Sequence, residues 1–220
     1  MNVELARYNM IEQQIRPWDV LDPAVLQLLS VVRREDFGPQ ANRAMPYADI
    51  QLQRPEGKCM HEPRAAPRLL QELQVQRHEK VLEIGAGTGY MAALLGHRAQ
   101  QVTTLECRED LARLAADNLR RAGPTNVRVR QVTAEEGARG AGGDGPYDVI
   151  VLSGGVPAVP RALLEQLRVG GRLAAIVGRA PVMRARLYER KGDAAWSESD
   201  LFDTLAPTLD GFDAGPRFQF

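Results

Sequence analysis

The sequence predicts an α/β protein with a doubly wound, mostly parallel sheet, preceded by a helical and loop segment. From residue 81 to residue 177, short apolar runs typical of strands alternate with amphipathic runs typical of helices. This alternation favours a parallel sheet with helices on both faces. The first apolar run also passes directly into a glycine-rich turn that opens a helix, as at the ligand-binding edge of doubly wound sheets.

The length of 220 residues suits one α/β domain with a full core and an appended segment. We therefore predict a single domain over residues 1–220. Within it we distinguish an N-terminal helical and lid segment (1–78), a core that contains the glycine turn (79–180), and C-terminal strands with a tail (181–220).

Composition argues against several classes of partner and site. The chain has 28 basic and 28 acidic side chains, so no field of one sign favours nucleic acid or a membrane surface. No apolar run approaches the ~18 residues of a spanning helix, and the polar start lacks a signal-peptide core, so we expect a cytoplasmic protein. Cys59, Cys107 and three histidines show no ligand spacing, which predicts reduced thiols and no metal.

The N-terminal segment opens with two predicted helices. Residues 4–16 have the spacing of an amphipathic helix that ends at Pro17. Its apolar face consists of Leu5, Met10, Ile11 and Ile15. Asp22 is a good N-cap for a second helix that starts at Pro23 and runs to about Val32.

The rest of this segment is predicted to be mostly irregular. Residues 33–37 form a polar loop, and residues 38–67 lack periodicity, with Tyr47 and Leu52 as anchors. Long loops in compact domains are usually functional or disordered, so we predict a lid or a substrate wall here. A helix through Leu69, Leu70 and Leu73 leads to the core.

The glycine turn is the centre of the core. Val81, Leu82 and Ile84 form a buried strand in which Glu83 is the only charge. Glycines at 85, 87 and 89 allow unusual dihedral angles and let a ligand approach the backbone. A small molecule should lie across this turn.

The remaining core elements follow in order. The predicted strands span 102–105, 127–132, 147–152 and 173–177, and the predicted helices span 90–97, 111–119 and 160–167. Gly123 should end the helix that contains residues 111–119. Residues 137–146 are predicted to be surface loop, 153–157 to leave the carboxyl end of a strand beside the ligand, and 183–190 with 196–201 to form a closing strand pair. The tail from Pro207 shows no clear element.

The run Glu-x-Gly-x-Gly-x-Gly at residues 83–89 resembles motif I of class I S-adenosylmethionine-dependent methyltransferases, which have a Rossmann-like doubly wound fold. An acid at the strand end suits a cationic cofactor better than a pyrophosphate. Glu106, about twenty residues past the first glycine, stands where such folds place a carboxylate on the ribose diol. The cofactor implied is S-adenosylmethionine, and its predicted contacts are Glu83, Gly85, Gly87, Thr88, Gly89 and Glu106.

Over roughly residues 8–190 the chain resembles the protein-L-isoaspartate O-methyltransferase family. The resemblance rests on Gln13-Gln14-Ile15-Arg16, Asp22 with Val25-Leu26, Arg34-Glu35-Asp36-Phe37, Tyr47, residues 57–63, residues 81–90, and Val169-Gly170-Gly171-Arg172-Leu173. It implies methyl transfer to the α-carboxylate of isoaspartyl residues, in repair of damaged protein. The implied partners are isoaspartyl proteins or peptides.

Two departures from the family pattern bear on the site. The family usually has Gly-Gln-Thr-Ile-Ser-Gln-Pro before motif I, whereas residues 57–63 read Gly-Lys-Cys-Met-His-Glu-Pro, so His61 replaces the catalytically implicated serine. Lys58, His61 and Ser153 are the residues expected near the acceptor. Val132-Thr133-Ala134 replaces a Gly-Asp-Gly, so an acidic cofactor contact is expected there only if Glu135 supplies it.

Three other interpretations stay open at this point. The same scaffold would also suit a methyltransferase with another acceptor, such as an unidentified small molecule or a different protein group. It suits equally a non-catalytic module that binds the cofactor or a partner. Nucleotide or flavin binding by a generic sheet of this kind is the last of the three.

Overall fold

The computed structural model describes residues 2–38, 45–53 and 59–212. The helices are α1 (Val3–Met10), α2 (Pro23–Val31), α3 (Ala65–Leu73), α4 (Tyr90–Gly96), α5 (Glu109–Ala122), α6 (Ala134–Arg139) and α7 (Arg161–Leu164). The strands are β1 (Leu52–Gln53), β2 (Cys59–Met60), β3 (Lys80–Ile84), β4 (Gln101–Glu106), β5 (Val127–Gln131), β6 (Tyr147–Val156), β7 (Leu167–Arg179), β8 (Val182–Gly192) and β9 (Ala195–Asp203).

Seven of these strands form one sheet in the order β5-β4-β3-β6-β7-β8-β9. Pairing is parallel from β5 to β7, and β8 and β9 are antiparallel to their neighbours. The predicted fold class is therefore confirmed, as is the closing strand pair. Because β3 has β4 on one side and β6 on the other, the carboxyl ends of three strands meet at one edge of the sheet.

The sheet separates two cores, as its alternating side chains require. Val81 and Val151 point into a core shared with the N-terminal helices, α3 and α4. Leu82 and Ile150 point into a second core on the opposite face, which includes Leu163 of α7. Burial on both faces explains why β6 is a continuous apolar run rather than an alternating one.

The first helical stretch differs from the prediction in its end and at one residue of its apolar face. After α1, the backbone forms a π-helical turn over Ile11–Ile15 and a 3₁₀ turn over Arg16–Trp18, so Pro17 lies inside helical backbone. Met10, Ile11 and Ile15 are buried, as predicted, whereas Leu5 is 55% exposed. The predicted cap of α2 is confirmed, since the Asp22 side chain accepts the Ala24 N–H at 2.8 Å.

Residues 33–37 are not the predicted polar loop. Arg34–Asp36 form a 3₁₀ turn, and the side chains of Arg34 and Phe37 are buried. The Phe37 ring packs edge-on against Tyr90, with 5.4 Å between the ring centroids. This turn is thereby fixed to the first helix of the core. Tyr47 and Leu52 are buried, as predicted.

Two further predictions are corrected in the second half of the protein. Residues 137–139 belong to α6, which begins with a capping box between Thr133 and Glu136, so the predicted loop starts only after them. The tail is not free of structure: Gly155 donates to the Pro207 carbonyl at 2.8 Å, and Leu209 donates to the Gly155 carbonyl at 2.8 Å. This stretch, Pro207–Asp210, lies against the end of β6, which extends to Val156.

No helix within the three described ranges is both long enough and apolar enough to cross a membrane. The division of the protein into one domain with three segments stays a prediction.

Candidate active site

Two chambers meet at the carboxyl edge of β3, β4 and β6. The first chamber encloses about 630 Å³, part of it open to solvent, and is lined by His61, Ile84, Gly85, Gly87, Leu105, Glu106, Cys107, Arg108, Leu111, Val132, Ala134, Gly137, Ser153, Gly154 and Pro207–Asp210. The second chamber has a volume of about 550 Å³, also partly open to solvent, and is lined by Arg34, Met60, His61, Ala65, Ala66, Leu69, Glu83, Gly85–Thr88, Tyr90, Met91, Ser153 and Ile176. His61, Gly85, Gly87 and Ser153 line both, so groups bound in the two chambers would meet beside these four residues.

The glycine turn forms the boundary between the chambers. At Gly87, the missing side chain leaves open space for a ligand. Gly87 has φ +54, and a Cβ built on it has no atom within 4 Å. Gly89 has a different role from the predicted ligand contact. A Cβ on Gly89 would lie 3.2 Å from the Ala115 carbonyl of α5, so this glycine allows α4 and α5 to pack closely.

Thr88 lies between the two glycines and lines only the second chamber. Its side chain is buried, and its carbonyl accepts a hydrogen bond from the Asn118 amide at 2.8 Å. Thr88 therefore ties the turn to α5.

Glu106 ends β4 and locks the turn in place. Its Oε2 accepts the Gly87 N–H at 2.9 Å, and its Oε1 accepts the Arg108 N–H at 3.1 Å. Oε1 also accepts the Cys107 thiol, with 3.7 Å between the sulfur and the oxygen. A carboxylate has about four acceptor positions, so three bonds leave capacity for a ligand hydroxyl. Glu106 lines the first chamber, as the sequence predicts for a diol contact.

Glu83 is buried beneath the turn and does not line the first chamber. Its carboxylate accepts the Ser153 hydroxyl at 2.6 Å and the Thr104 hydroxyl at 2.7 Å. Burial raises the pKa of Glu83 to about 7; the two hydroxyls oppose this rise, and the charge of Glu106 adds to it. Because the Ser153 hydroxyl donates its hydrogen to Glu83, the role of Ser153 is to hold that carboxylate in place at the boundary between the chambers.

His61 stands at the boundary with a defined tautomer. Its Nε2 lies 3.2 Å from the Ser153 carbonyl oxygen. A carbonyl only accepts, so Nε2 carries the hydrogen and Nδ1 presents a lone pair. Burial lowers the pKa of His61, the Ser153 carbonyl and Glu62 oppose that shift, and Arg34 adds to it. The imidazole is therefore neutral at neutral pH.

Arg34 supplies a buried cation that sequence reasoning placed in a polar loop. Its Nε donates to the Pro46 carbonyl at 3.0 Å, its Nη2 donates to the His61 carbonyl, and its guanidinium lies 5.4 Å from the centre of the Tyr90 ring. Burial lowers the pKa of Arg34 to about 10, which leaves it charged at neutral pH. The local sequence carries no signal of this burial, since arginine in a charged run is typical of a surface.

Lys58 lies outside the described residues, so its place near the acceptor stays a prediction. Glu135 was expected to supply an acidic contact, but its side chain is 82% exposed and pairs with Arg139 one helical turn further along α6. Once the capping box of α6 is in place, this side chain points to solvent, so the structure does not bring Glu135 to the first chamber.

The tail supplies a wall of the first chamber that sequence reasoning missed. Residues Pro207–Asp210 line it, and the side chain of Leu209 lies over the backbone of Gly85 and Gly154, where an added Cβ would come within 2.6 Å of its Cδ2. The sequence held no signal of this contact, because hydrogen bonds between a tail and a distant strand leave no local pattern.

The first chamber fits the predicted cofactor on three observations. Its apolar walls, which include Leu111 and Val132, suit a flat ring, and Glu106 offers acceptors for hydroxyls. A side chain at Gly87 would fill the open space at the turn. Glu106, Gly85 and Gly87 are the residues placed to hold it.

A family model described as "Protein-L-isoaspartate(D-aspartate) O-methyltransferase (PCMT)" matches residues 6–206 of the sequence. A protein-L-isoaspartate O-methyltransferase of Koribacter versatilis (strain Ellin345) is 38% identical over 199 residues, which are 90% of this chain and 88% of the relative. Protein-L-isoaspartate O-methyltransferase 1 of Rhodopseudomonas palustris (strain HaA2) is 42% identical over 172 residues, 78% of this chain and 69% of the relative.

The fold has a counterpart among solved structures. A crystal structure of a putative protein-L-isoaspartate O-methyltransferase from Plasmodium falciparum, in complex with S-adenosyl-L-homocysteine, superposes with a TM-score of 0.77 at 18% identity. The match covers 96% of this chain and 99% of that one. At this identity the likeness concerns the fold.

Proposed function

The chain belongs to the protein-L-isoaspartate(D-aspartate) O-methyltransferase family, and on that premise we propose that it methylates the α-carboxylate of isoaspartyl residues in damaged proteins. Enzymes of this family are S-adenosylmethionine-dependent O-methyltransferases, and so is this protein. The methyl ester of an isoaspartyl residue can collapse through a succinimide toward aspartate. We include this repair role in the proposal.

The observation that carries the choice of acceptor is the buried cation of Arg34 in the wall of the second chamber. A charge buried beside a chamber attracts an anion more strongly than the same charge in water, because the effective dielectric constant is lower. A carboxylate bound there would lie next to the residues that border the first chamber. Arg34 thus favours an anionic acceptor over a neutral one.

In this proposal the two chambers have separate tasks. S-adenosylmethionine, when bound in the first chamber, supplies a methyl group that its sulfonium makes strongly electrophilic. Glu106 and the open backbone at Gly87 hold that ligand, and Leu209 with the rest of Pro207–Asp210 shields it from water. Arg34 holds the carboxylate in the second chamber. An ionised carboxylate is already a nucleophile, so orientation and exclusion of water supply the acceleration.

The other predicted acceptor residues take defined roles in the proposal. Ser153 is a positioning residue that acts through Glu83, with which it shares a 2.6 Å hydrogen bond. Lys58 lies outside the described residues, and the sequence alone predicts that it adds a positive charge for the acceptor. On that prediction, Lys58→Ala raises the acceptor KM more than tenfold. Glu83 supports the glycine turn from below.

The direct test is transfer of labelled methyl from S-adenosylmethionine to a synthetic isoaspartyl peptide, with the matching aspartyl peptide as control. Labelling of the isoaspartyl peptide alone is the expected result. Transfer only to members of a panel of small metabolites would show a different acceptor. Calorimetric binding of S-adenosylmethionine without turnover of any acceptor would show a binding module instead.

A cytoplasmic location is also part of the proposal. Cys107 is a free thiol in the structure, which fits the reducing conditions of that compartment.

A further inference from the structure

His61 carries a lone pair that the protein leaves without a partner. Its Nε2–H is held by the Ser153 carbonyl at 3.2 Å, which fixes the ring and makes Nδ1 the acceptor. Nδ1 is buried and has no hydrogen-bond partner among the described residues. An unsatisfied buried acceptor is unfavourable, so a bound ligand that donates to Nδ1 would supply a missing interaction.

The surroundings of His61 restrict what that donor can be. His61 lines both chambers, at the boundary where an acceptor must meet the methyl group. Arg34 donates to the carbonyl of His61 itself, so a cation and a neutral lone pair lie side by side in this wall. The Ser153 hydroxyl gives its hydrogen to Glu83, so it cannot donate to a carboxylate here. A carboxylate oxygen is attracted to Arg34 and repelled by the lone pair of Nδ1.

A ligand that satisfies both groups carries a carboxylate and a donor close to it. We propose that His61 determines specificity by accepting a hydrogen bond from the N–H attached to the carbon that bears the acceptor carboxylate. This inference rests on the proposed function. The substrate class it names is an α-carboxylate whose own carbon carries an acylated N–H. Isoaspartyl residues and the carboxyl-terminal residues of polypeptides have this arrangement, whereas the side-chain carboxylates of aspartate and glutamate have their N–H further away.

The chemistry explains why an imidazole can serve where the family usually has a serine. A serine hydroxyl can donate to a carboxylate oxygen, but a neutral imidazole held through Nε2–H can only accept at its other nitrogen. The partner on the substrate must therefore change from the carboxylate to the neighbouring N–H. Attraction of the carboxylate then falls to Arg34.

The test exchanges one atom of the substrate. Two isoaspartyl peptides are compared, one natural and one in which the nitrogen on the carboxylate-bearing carbon is replaced by an ester oxygen, which has no hydrogen and repels a lone pair. Wild-type enzyme is expected to show at least tenfold lower kcat/KM on the ester. His61→Phe keeps a ring but has no lone pair, so its ratio between the two peptides should be near one. His97→Phe, at an exposed histidine far from both chambers, should keep the wild-type ratio.

His61→Gln is the second variant, because its amide can donate to the Ser153 carbonyl while its oxygen still accepts. It should retain part of the preference for the natural peptide. A wild-type ratio near one, or an unchanged ratio in folded His61→Phe, would overturn the inference while leaving isoaspartyl methylation in place. If wild-type enzyme methylates neither peptide, the proposed function fails, and this inference fails with it.

Discussion

The Ser153 hydroxyl donates a 2.6 Å hydrogen bond to the carboxylate of Glu83, a residue on the neighbouring strand. Together with the Thr104 hydroxyl, it is what stabilises a charge on an acid that is otherwise fully buried. Burial nevertheless dominates, since the pKa of Glu83 is raised from 4.5 to about 7. The glycine turn therefore rests on a group that titrates near neutral pH.

This raised pKa makes stability depend on pH. The stabilising contribution is fully present below pH 4.5, where the acid is protonated in both the folded and the unfolded protein, and it is lost as pH rises through about 7. We predict that Glu83→Gln removes roughly 2–3 kcal/mol of the fall in the free energy of unfolding between pH 5 and pH 8. Urea unfolding at the two pH values measures it. In Ser153→Ala the fall in the free energy of unfolding should be larger, because loss of the hydroxyl raises the pKa of Glu83 further. An equal pH dependence of stability in wild type and both variants would contradict the argument.

Gly87→Val is predicted to abolish binding of S-adenosylmethionine while leaving the protein folded. The new side chain would project into the open space at the turn and fill the place of the ligand. Calorimetric titration gives the affinity. Gly123→Val is the matched control, because Gly123 also has positive φ and free space around its Cβ but lies at the end of α5, outside both chambers. Undiminished affinity in folded Gly87→Val would exclude the glycine turn from the cofactor site.

Glu106→Ala is predicted to weaken cofactor binding by about 1.5–3 kcal/mol, the range for hydrogen bonds to a charged group. Loss of the bond to the Gly87 N–H should loosen the turn as well. Glu135→Ala serves as the control and should leave the affinity unchanged, since this exposed side chain does not reach the chamber. Equal cofactor affinities for Glu106→Ala and wild type would show that the Glu106 side chain does not contact the cofactor and serves only as the end of β4.

Arg34→Gln is predicted to raise the KM for isoaspartyl peptide by more than tenfold, with little change in the Kd for S-adenosylmethionine. Arg34 lines the second chamber and not the first, so its charge should act on the acceptor alone. Steady-state kinetics with calorimetry separates the two effects. Arg7→Gln removes another largely buried arginine, one that pairs with Glu35 away from the chambers, and should change neither value. A parallel loss in both variants would point to general destabilisation.

The sequence by itself determined the parts of this protein that local rules control. The apolar run of β3, the glycines that end it, the cap of α2 by Asp22 and the end of α5 at Gly123 each follow from residue types at fixed spacing. The fold class follows from their alternation along the sequence. The position of Glu106 beside the turn follows from the order of parallel strands, because consecutive strands of this kind end at one edge.

Only the tertiary structure decided which side chains face the two chambers. Arg34, in a charged run, is buried because a distant loop and Tyr90 enclose it, and the tail reaches the first chamber because it pairs with the end of β6. Glu135 and Leu5 point to solvent because the capping of α6 and the packing of the first helical stretch fix the rotation of each helix. These outcomes depend on contacts between residues far apart in the sequence, and periodicity carries no information about such contacts.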